Sequence, residues 1–80
     1  MIQVLLFASL ADLAGERDVK LEVASGITVQ QVWELLQSQY PRLSGYSNRL
    51  LRSVNGSFAT GNTLVNDGDE VAFFPPVSGG

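Results

Sequence analysis

Every position from residue 2 to residue 7 is apolar except Gln3. A short run of this kind is typical of a strand at the centre of a sheet, buried on both faces. Residues 18–23 alternate strictly between polar and apolar, which predicts a strand at a sheet edge with one face in solvent. Between them, residues 9–15 have helical spacing and predict one or two turns of helix that end at Gly15.

The best-defined element is a helix that begins after Thr28. Thr28 and Gln31 have the spacing of a capping box, in which each side chain binds a backbone N–H near the helix start. From Val29 onward, apolar residues recur at i, i+3, i+4, i+7 and i+11 and give the helix one apolar face. Pro41 disfavours helical geometry in the residue before it and therefore ends the helix at Tyr40.

The second half of the chain predicts short strands joined by turns. Residues 50–54 form a strand candidate, and Asn55-Gly56 is a strong signal for a tight turn into a short strand at 57–59. After a further turn, residues 64 and 65 lead through the acidic segment 66–69 to a nearly all-apolar strand at 70–74.

This order of elements predicts a two-layer α+β domain, because one amphipathic helix covers only one face of a sheet. The two most apolar strands, the first and the last, should be neighbours in its middle. The arrangement is that of the β-grasp, or ubiquitin-like, fold: a mixed sheet with one main helix. In these two strands, apolar side chains point to both faces of the sheet. The face that the helix does not cover is therefore either covered by loops or exposed as a binding patch.

Composition removes most enzyme chemistry from this chain of 80 residues. It has no cysteine and no histidine, hence no disulfide, no thiolate nucleophile and no side chain with an ordinary pKa near neutrality. A net charge of −3 argues against a nucleic-acid surface. The longest wholly apolar stretch, residues 4–8, is far too short to span a membrane, so a cytoplasmic protein is expected.

Three other groups of residues have an ordinary explanation beside a functional one. Carboxylate oxygens that could bind a hard cation occur at Asp67, Asp69 and Glu70. This segment is shorter than a calcium loop, however, and its sequence is typical of a turn. Arg49 and Arg52 suit an anion, and a solvated surface explains them as well. The helix aromatics are explained by core packing.

The C-terminal segment carries the strongest functional signal. Two prolines follow the last strand and cannot extend the sheet, and the chain then ends in two residues without side chains, Gly79 and Gly80. We therefore divide the chain into a domain at 1–74 and an extended tail at 75–80. Such a tail reaches roughly 20 Å, enough to enter a partner's active site. The reactive group is then the α-carboxylate of Gly80.

Here the sequence resembles the molybdopterin synthase small subunits, a family of ubiquitin-like sulfur carriers. The likeness is strongest over Asp67-Gly68-Asp69-Glu70-Val71-Ala72-Phe73-Phe74-Pro75-Pro76-Val77-Ser78-Gly79-Gly80, and includes Val4-Leu5-Leu6-Phe7-Ala8, Leu13-Ala14-Gly15 and Val54-Asn55. Two positions depart from the family pattern. Many relatives have a basic residue where this chain has Ala11, and a larger polar or charged one where it has Gly56.

The resemblance implies a carrier cycle in molybdenum cofactor biosynthesis, with no enzyme activity in the carrier alone. An adenylating enzyme of the ubiquitin-activating type consumes ATP to activate the Gly80 carboxylate, and a sulfur donor protein converts it to a thiocarboxylate. The tail, Pro75, Pro76, Val77, Ser78 and Gly79, then enters the large synthase subunit of a heterotetramer. Phe7 and Phe74 are the implied partner contacts. No bound cofactor, metal, nucleic acid or membrane is expected.

Three other functions remain open from the sequence. A sulfur carrier for thiamine synthesis has the same fold and Gly-Gly end but usually lacks the Phe-Pro-Pro segment. A ubiquitin-like modifier would be joined through Gly80 to lysines of its targets. A plain interaction domain would have an inert tail.

Overall fold

The structure, a computed structural model, describes residues 1–45 and 50–76 of the chain. In these two ranges the chain forms strands, two α-helices and one short 3₁₀ helix. In chain order they are β1 (Ile2–Leu6), α1 (Ser9–Ala14), β2 (Asp18–Leu21), β3 (Ile27–Thr28), α2 (Val29–Gln39), the 3₁₀ helix (Pro41–Gly45), β4 (Leu51–Val54), β5 (Ser57–Ala59), β6 (Leu64–Val65) and β7 (Glu70–Phe74).

Five of the strands form a mixed sheet in the order β2-β1-β7-β4-β5. The first and last strands, β1 and β7, run parallel, with Val4 opposite Val71, and the other neighbours are antiparallel. The predictions that these two strands are central neighbours and that β2 lies at an edge are confirmed. A mixed sheet with α2 on one face is the predicted β-grasp architecture.

The capping box at the start of α2 is present as predicted. The Thr28 hydroxyl accepts a hydrogen bond from the Gln31 backbone N–H at 3.1 Å, and the Gln31 side-chain oxygen accepts one from the Thr28 N–H at 2.8 Å. At the other end, the Tyr40 N–H donates to the Leu36 carbonyl before Pro41 begins the 3₁₀ helix. Both ends of the helix were therefore predictable from local chemistry.

The core lies between α2 and one face of the sheet, which we call the closed face. Trp33 of α2 and Phe73 of β7 are both fully buried, with ring centroids 5.0 Å apart. Their fully buried neighbours include Val4, Leu10, Val29, Val32, Leu36, Leu43, Val65 and Val71. Burial of an apolar side chain of this size contributes roughly 1.5–3 kcal/mol to folding. The domain is therefore held together mainly by this one layer.

The prediction that β1 is buried on both faces is wrong. Ile2, Val4 and Leu6 are buried against the core, but Leu5 is only half-buried and Phe7, just beyond the strand, is 41% exposed. The strand is central because it pairs with neighbours on both sides. Central position in a sheet with helices on one face does not bury the opposite face.

A second, two-stranded sheet was not predicted. It pairs β3 with β6, so that Ile27 lies opposite Val65, and the Val29 N–H beyond it donates to the carbonyl of Thr63 at 2.9 Å. This sheet ties the start of α2 to a loop more than thirty residues later in the chain. No helix within residues 1–45 and 50–76 is long and apolar enough to cross a membrane.

The predicted turn at Asn55-Gly56 connects β4 and β5 as a tight hairpin. Asn55 has a φ of 50° and Gly56 a φ of 85°, and such positive angles at both central residues define the turn that matches strand twist. Glycine adopts this geometry at Gly56 without strain.

Candidate docking face and C-terminal segment

The sheet face opposite α2, which we call the open face, carries an apolar patch. Strand register places Leu5 beside Ala72, Phe74 beside Leu51, and Phe58 beside Ser53 on this face. The open face includes Leu5, Phe7, Leu51, Ser53, Phe58, Glu70, Ala72 and Phe74. Several of these apolar side chains are exposed, so the described loops do not cover the face. Of the two alternatives for the second sheet face, an exposed patch is the one observed.

Phe7 and Phe74, the two predicted contact residues, lie against each other on this face. Their ring centroids are 4.5 Å apart and the ring planes differ by 12°, which is a stacked pair. The Phe7 N–H also donates to the Phe73 carbonyl at 3.3 Å and continues the β1–β7 ladder by one residue. A stacked aromatic pair at the end of a central strand pair is a rigid apolar surface that costs little entropy to immobilise.

The backbone turns sharply after Phe7. Ala8 has a φ of 53° and a ψ of −127°, a conformation that residues with a side chain rarely adopt. The turn sends Leu10 into the core while Phe7 stays on the open face. Backbone strain of this kind persists where the surrounding structure over-determines it, and here it lies at the residue directly after one ring of the stacked pair.

Two further residues extend the apolar patch, and the sequence analysis missed both. Phe58 is 85% exposed on the hairpin strand β5, and Leu51 is 40% exposed beside Phe74. For Phe58 the sequence signal was an aromatic residue in the short strand predicted after the Asn55-Gly56 turn. Its face depends on pairing Phe58 with Ser53, and that pairing is visible only in the folded sheet.

Leu5 and Phe7 form a ridge with a groove on each side. One groove, of about 280 Å³, lies toward Phe58 and Phe74. The other, of about 500 Å³, lies toward α1 and is bordered by charged side chains that include Asp12 and Arg17. The open face is therefore a contoured apolar surface with charged margins, a common form of protein interface.

The described part of the C-terminal segment leaves the sheet at this patch. β7 ends at Phe74, and Pro75 and Pro76 follow it without regular secondary structure and half-buried. Neither proline has an N–H group with which to continue the ladder. The other predicted tail residues, Val77, Ser78, Gly79 and Gly80, lie outside the described residues, as does Arg49. The division into a domain at 1–74 and a tail at 75–80 stays a prediction.

The acidic segment forms a turn, as predicted. The Asp69 carboxylate accepts hydrogen bonds from the Asn66 backbone N–H at 2.8 Å and the Asn55 side chain at 3.0 Å. These two bonds hold the pKa of Asp69 below its ordinary value. Asp67 pairs with the amino group of Met1 and raises the pKa of that amine. In residues 1–45 and 50–76 no group of three acidic, histidine or cysteine side chains is placed to hold a metal.

Arg52, considered above as an anion ligand, is not on the open face. It lies opposite Phe73 in the register, and its guanidinium donates to the carbonyl of Leu50 at 3.3 Å. Among the described residues, the open face with its stacked pair is therefore the candidate site.

Comparison with known proteins covers almost the whole chain. A model of the ThiS family matches residues 4–80. The molybdopterin synthase sulfur carrier subunit of Escherichia coli is 39% identical over all of both chains, and that of Mycobacterium tuberculosis is 38% identical over 99% of this chain and 96% of its own. The crystal structure of the small archaeal modifier protein 1 of Haloferax volcanii is similar, with a TM-score of 0.86 at 31% identity, over 95% of this chain and 97% of that one.

Proposed function

The chain belongs to the ThiS family, and from this premise we propose that it is the sulfur carrier subunit of a molybdopterin synthase. The observation that carries the proposal is the position of the stacked pair. The exposed ring of Phe7 and the half-buried ring of Phe74 form an apolar surface at the point where Pro75 leaves the sheet. A partner bound to that surface receives the C-terminal segment directly. The full-length likeness to molybdopterin synthase sulfur carriers supports the choice of pathway.

The proposed chemistry takes place at the α-carboxylate of Gly80. An adenylating enzyme transfers AMP from ATP to this carboxylate and releases pyrophosphate. A sulfur donor protein then supplies the sulfur that displaces AMP and leaves a thiocarboxylate. Activation is required because a free carboxylate is a poor acyl donor, and the carrier has no histidine or cysteine to catalyse the step. ATP is consumed by the partner, and the carrier binds no cofactor in this scheme.

The large subunit of the synthase then receives the tail. Pro75 and Pro76 have restricted backbone angles that favour an extended exit from the sheet, and the absence of side chains at Gly79 and Gly80 would allow a narrow channel to close around the backbone. The large subunit supplies the catalytic side chains and holds the pterin precursor. Two carriers and two large subunits make the proposed heterotetramer, which operates in the cytoplasm.

The first test is the intact mass of the chain after incubation with the adenylating enzyme, ATP and a sulfur source. We expect a gain equal to one exchange of oxygen for sulfur. Deletion of Gly80 should abolish that gain and leave the thermal unfolding midpoint nearly unchanged. No mass gain, with an activating enzyme shown to be competent on another carrier, contradicts the proposal.

A ubiquitin-like modifier is the second candidate, because the fold and 31% of the aligned residues are shared with an archaeal modifier protein. In this case the activated Gly80 carboxylate forms amide bonds with lysines of target proteins. Affinity purification of a tagged chain distinguishes the two functions. Conjugates stable to thiols and denaturant support the modifier, and an unconjugated thiocarboxylate supports the carrier. Rescue of thiamine synthesis by the chain would instead place the carrier in that pathway.

A further inference from the structure

Glu70 is held in place on the open face by the hairpin turn. Its backbone N–H donates to the Asn55 side chain at 2.9 Å, and its carbonyl accepts the Asn55 N–H at 2.8 Å. Its side chain is exposed. Within the described part of the chain, no group donates a hydrogen bond to the Glu70 carboxylate, whereas two groups bind that of Asp69. The backbone of Glu70 is therefore held by hydrogen bonds, while its carboxylate accepts none from the described part of the chain.

This carboxylate stands at the groove of about 280 Å³ on the open face. The other described lining residues are uncharged: Leu5, Phe7, Ser53, Gly56, Phe58, Ala72 and Phe74. The open backbone at Gly56 places no side chain over the groove at this end. A largely apolar groove with three aromatic rings and one carboxylate is a specific combination. It suits a ligand group that is apolar along its length and cationic at its end.

We propose that this groove receives an arginine side chain of the protein that docks on the open face. The inference rests on the proposed function and adds the chemistry of the partner's contact. The methylenes of the arginine lie on Leu5 and Ala72, its guanidinium plane stacks on Phe58, and its N–H groups bind the Glu70 carboxylate. Arginine combines an apolar stem, aromatic stacking and paired hydrogen bonds to a carboxylate, and is enriched at interfaces where lysine is depleted.

Other occupants fit the same groove less well. A purely apolar side chain would cover the Glu70 carboxylate without pairing it, and a desolvated carboxylate without a partner is costly. An acidic side chain would be repelled by Glu70 and by the net charge of −3. A cationic side chain is the occupant that satisfies both the rings and the carboxylate.

The first test measures association with the large subunit of molybdopterin synthase for the full-length wild-type chain, Glu70→Gln and Glu34→Gln. Glu34 lies exposed on α2, away from the open face, and its substitution makes the same change in net charge. We expect Glu70→Gln to raise the dissociation rate about tenfold and Glu34→Gln to leave it unchanged. An effect of Glu70→Gln on the association rate alone means long-range steering and overturns the proposal, as does equal behaviour of the two variants.

A second measurement needs no protein partner. Backbone amide shifts of the full chain are followed by NMR during titration with N-acetyl-arginine amide and, separately, with its uncharged analogue N-acetyl-norleucine amide. We expect saturable shifts at Phe58, Glu70 and Ala72 with the arginine derivative, and their loss in Glu70→Gln. Equal shifts with the norleucine derivative, or none with either, overturn the proposal. If the groove binds arginine and the wild-type chain forms no thiocarboxylate, the proposed function fails while the groove chemistry stands.

Discussion

Both faces of the five-stranded sheet carry large apolar side chains of β1 and β7, but only one of these faces is covered. On the closed face, Val4, Val71 and Phe73 have no exposed surface and pack against α2. On the open face, Phe7 and Phe58 are 41% and 85% exposed. The same residue types are therefore buried in the core on one face and left exposed to solvent on the other. Apolar character by itself does not tell which face of the sheet is buried, and coverage by the helix does.

Phe73 and Phe74 show this contrast within two consecutive residues. Phe73 points into the closed face against Trp33, and Phe74 points out of the open face against Phe7. They have identical chemistry and adjacent positions on one strand. Only the alternation of side chains along β7 places one in the core and the other on the open face.

Phe73→Ala should have the largest effect, because it disrupts the packing of the core on the closed face. Removal of a fully buried ring beside Trp33 is expected to lower the free energy of unfolding by about 3–5 kcal/mol. Urea unfolding followed by Trp33 fluorescence measures this change. Phe58→Ala is the matched control, and a comparable loss from that exposed position would contradict the division between the faces.

Phe7→Asp and Phe74→Asp should weaken binding of the large subunit to the open face while leaving the fold in place. Each puts a charge into the stacked pair, and we expect a loss of about 2 kcal/mol in binding free energy for the large subunit. Leu35→Asp is the control, because Leu35 has the same 41% exposure as Phe7 but lies on α2. Calorimetric titration of all three variants decides the question, and binding as tight as that of the wild type would remove the aromatic pair from the interface.

Thr28→Ala should lower the stability of the fold, through the start of α2 on the closed face, without changing the open face. Loss of the capping box at the start of α2 is expected to lower stability by about 1 kcal/mol. Binding of the large subunit should not change, since the open face contains no residue of α2. Thermal unfolding and binding are measured on the same preparation. Thr28→Ser serves as the control, because serine retains the capping hydroxyl, and an equal loss with serine would argue against the cap.

Asp69 should give the smallest effect, a dependence of stability on pH. Because its backbone bond to Asn66 and its bond to Asn55 lower its pKa in the folded chain, its contribution to stability is present above the ordinary value of 3.8. That contribution is lost as the pH falls below 3.8 through the lowered pKa. Wild type should therefore exceed Asp69→Asn in unfolding midpoint at neutral pH and match it in strong acid. Asp12→Asn, an exposed aspartate on α1, is the control.

Part of the candidate site followed from the sequence, through its resemblance to a known family. Phe7 and Phe74 were predicted as contact residues from the family resemblance, and the structure places them in one stacked pair. Their contact with a partner stays a prediction. Phe58 and Glu70 were not predicted as parts of the same groove, because they are brought together only by the pairing of β5 with β4 and of β4 with β7.

The sequence by itself determined the elements whose causes lie within a few residues. The capping box at Thr28, the stop at Pro41 and the turn at Asn55-Gly56 each act through neighbouring backbone groups. Tertiary structure alone decided which face of β1 is covered, and it alone paired β3 with β6. When the side chains on both faces of a strand are apolar, the sequence pattern is the same whichever face points toward the core. The choice then depends on where the apolar face of α2 packs, which is a contact between residues distant in the chain.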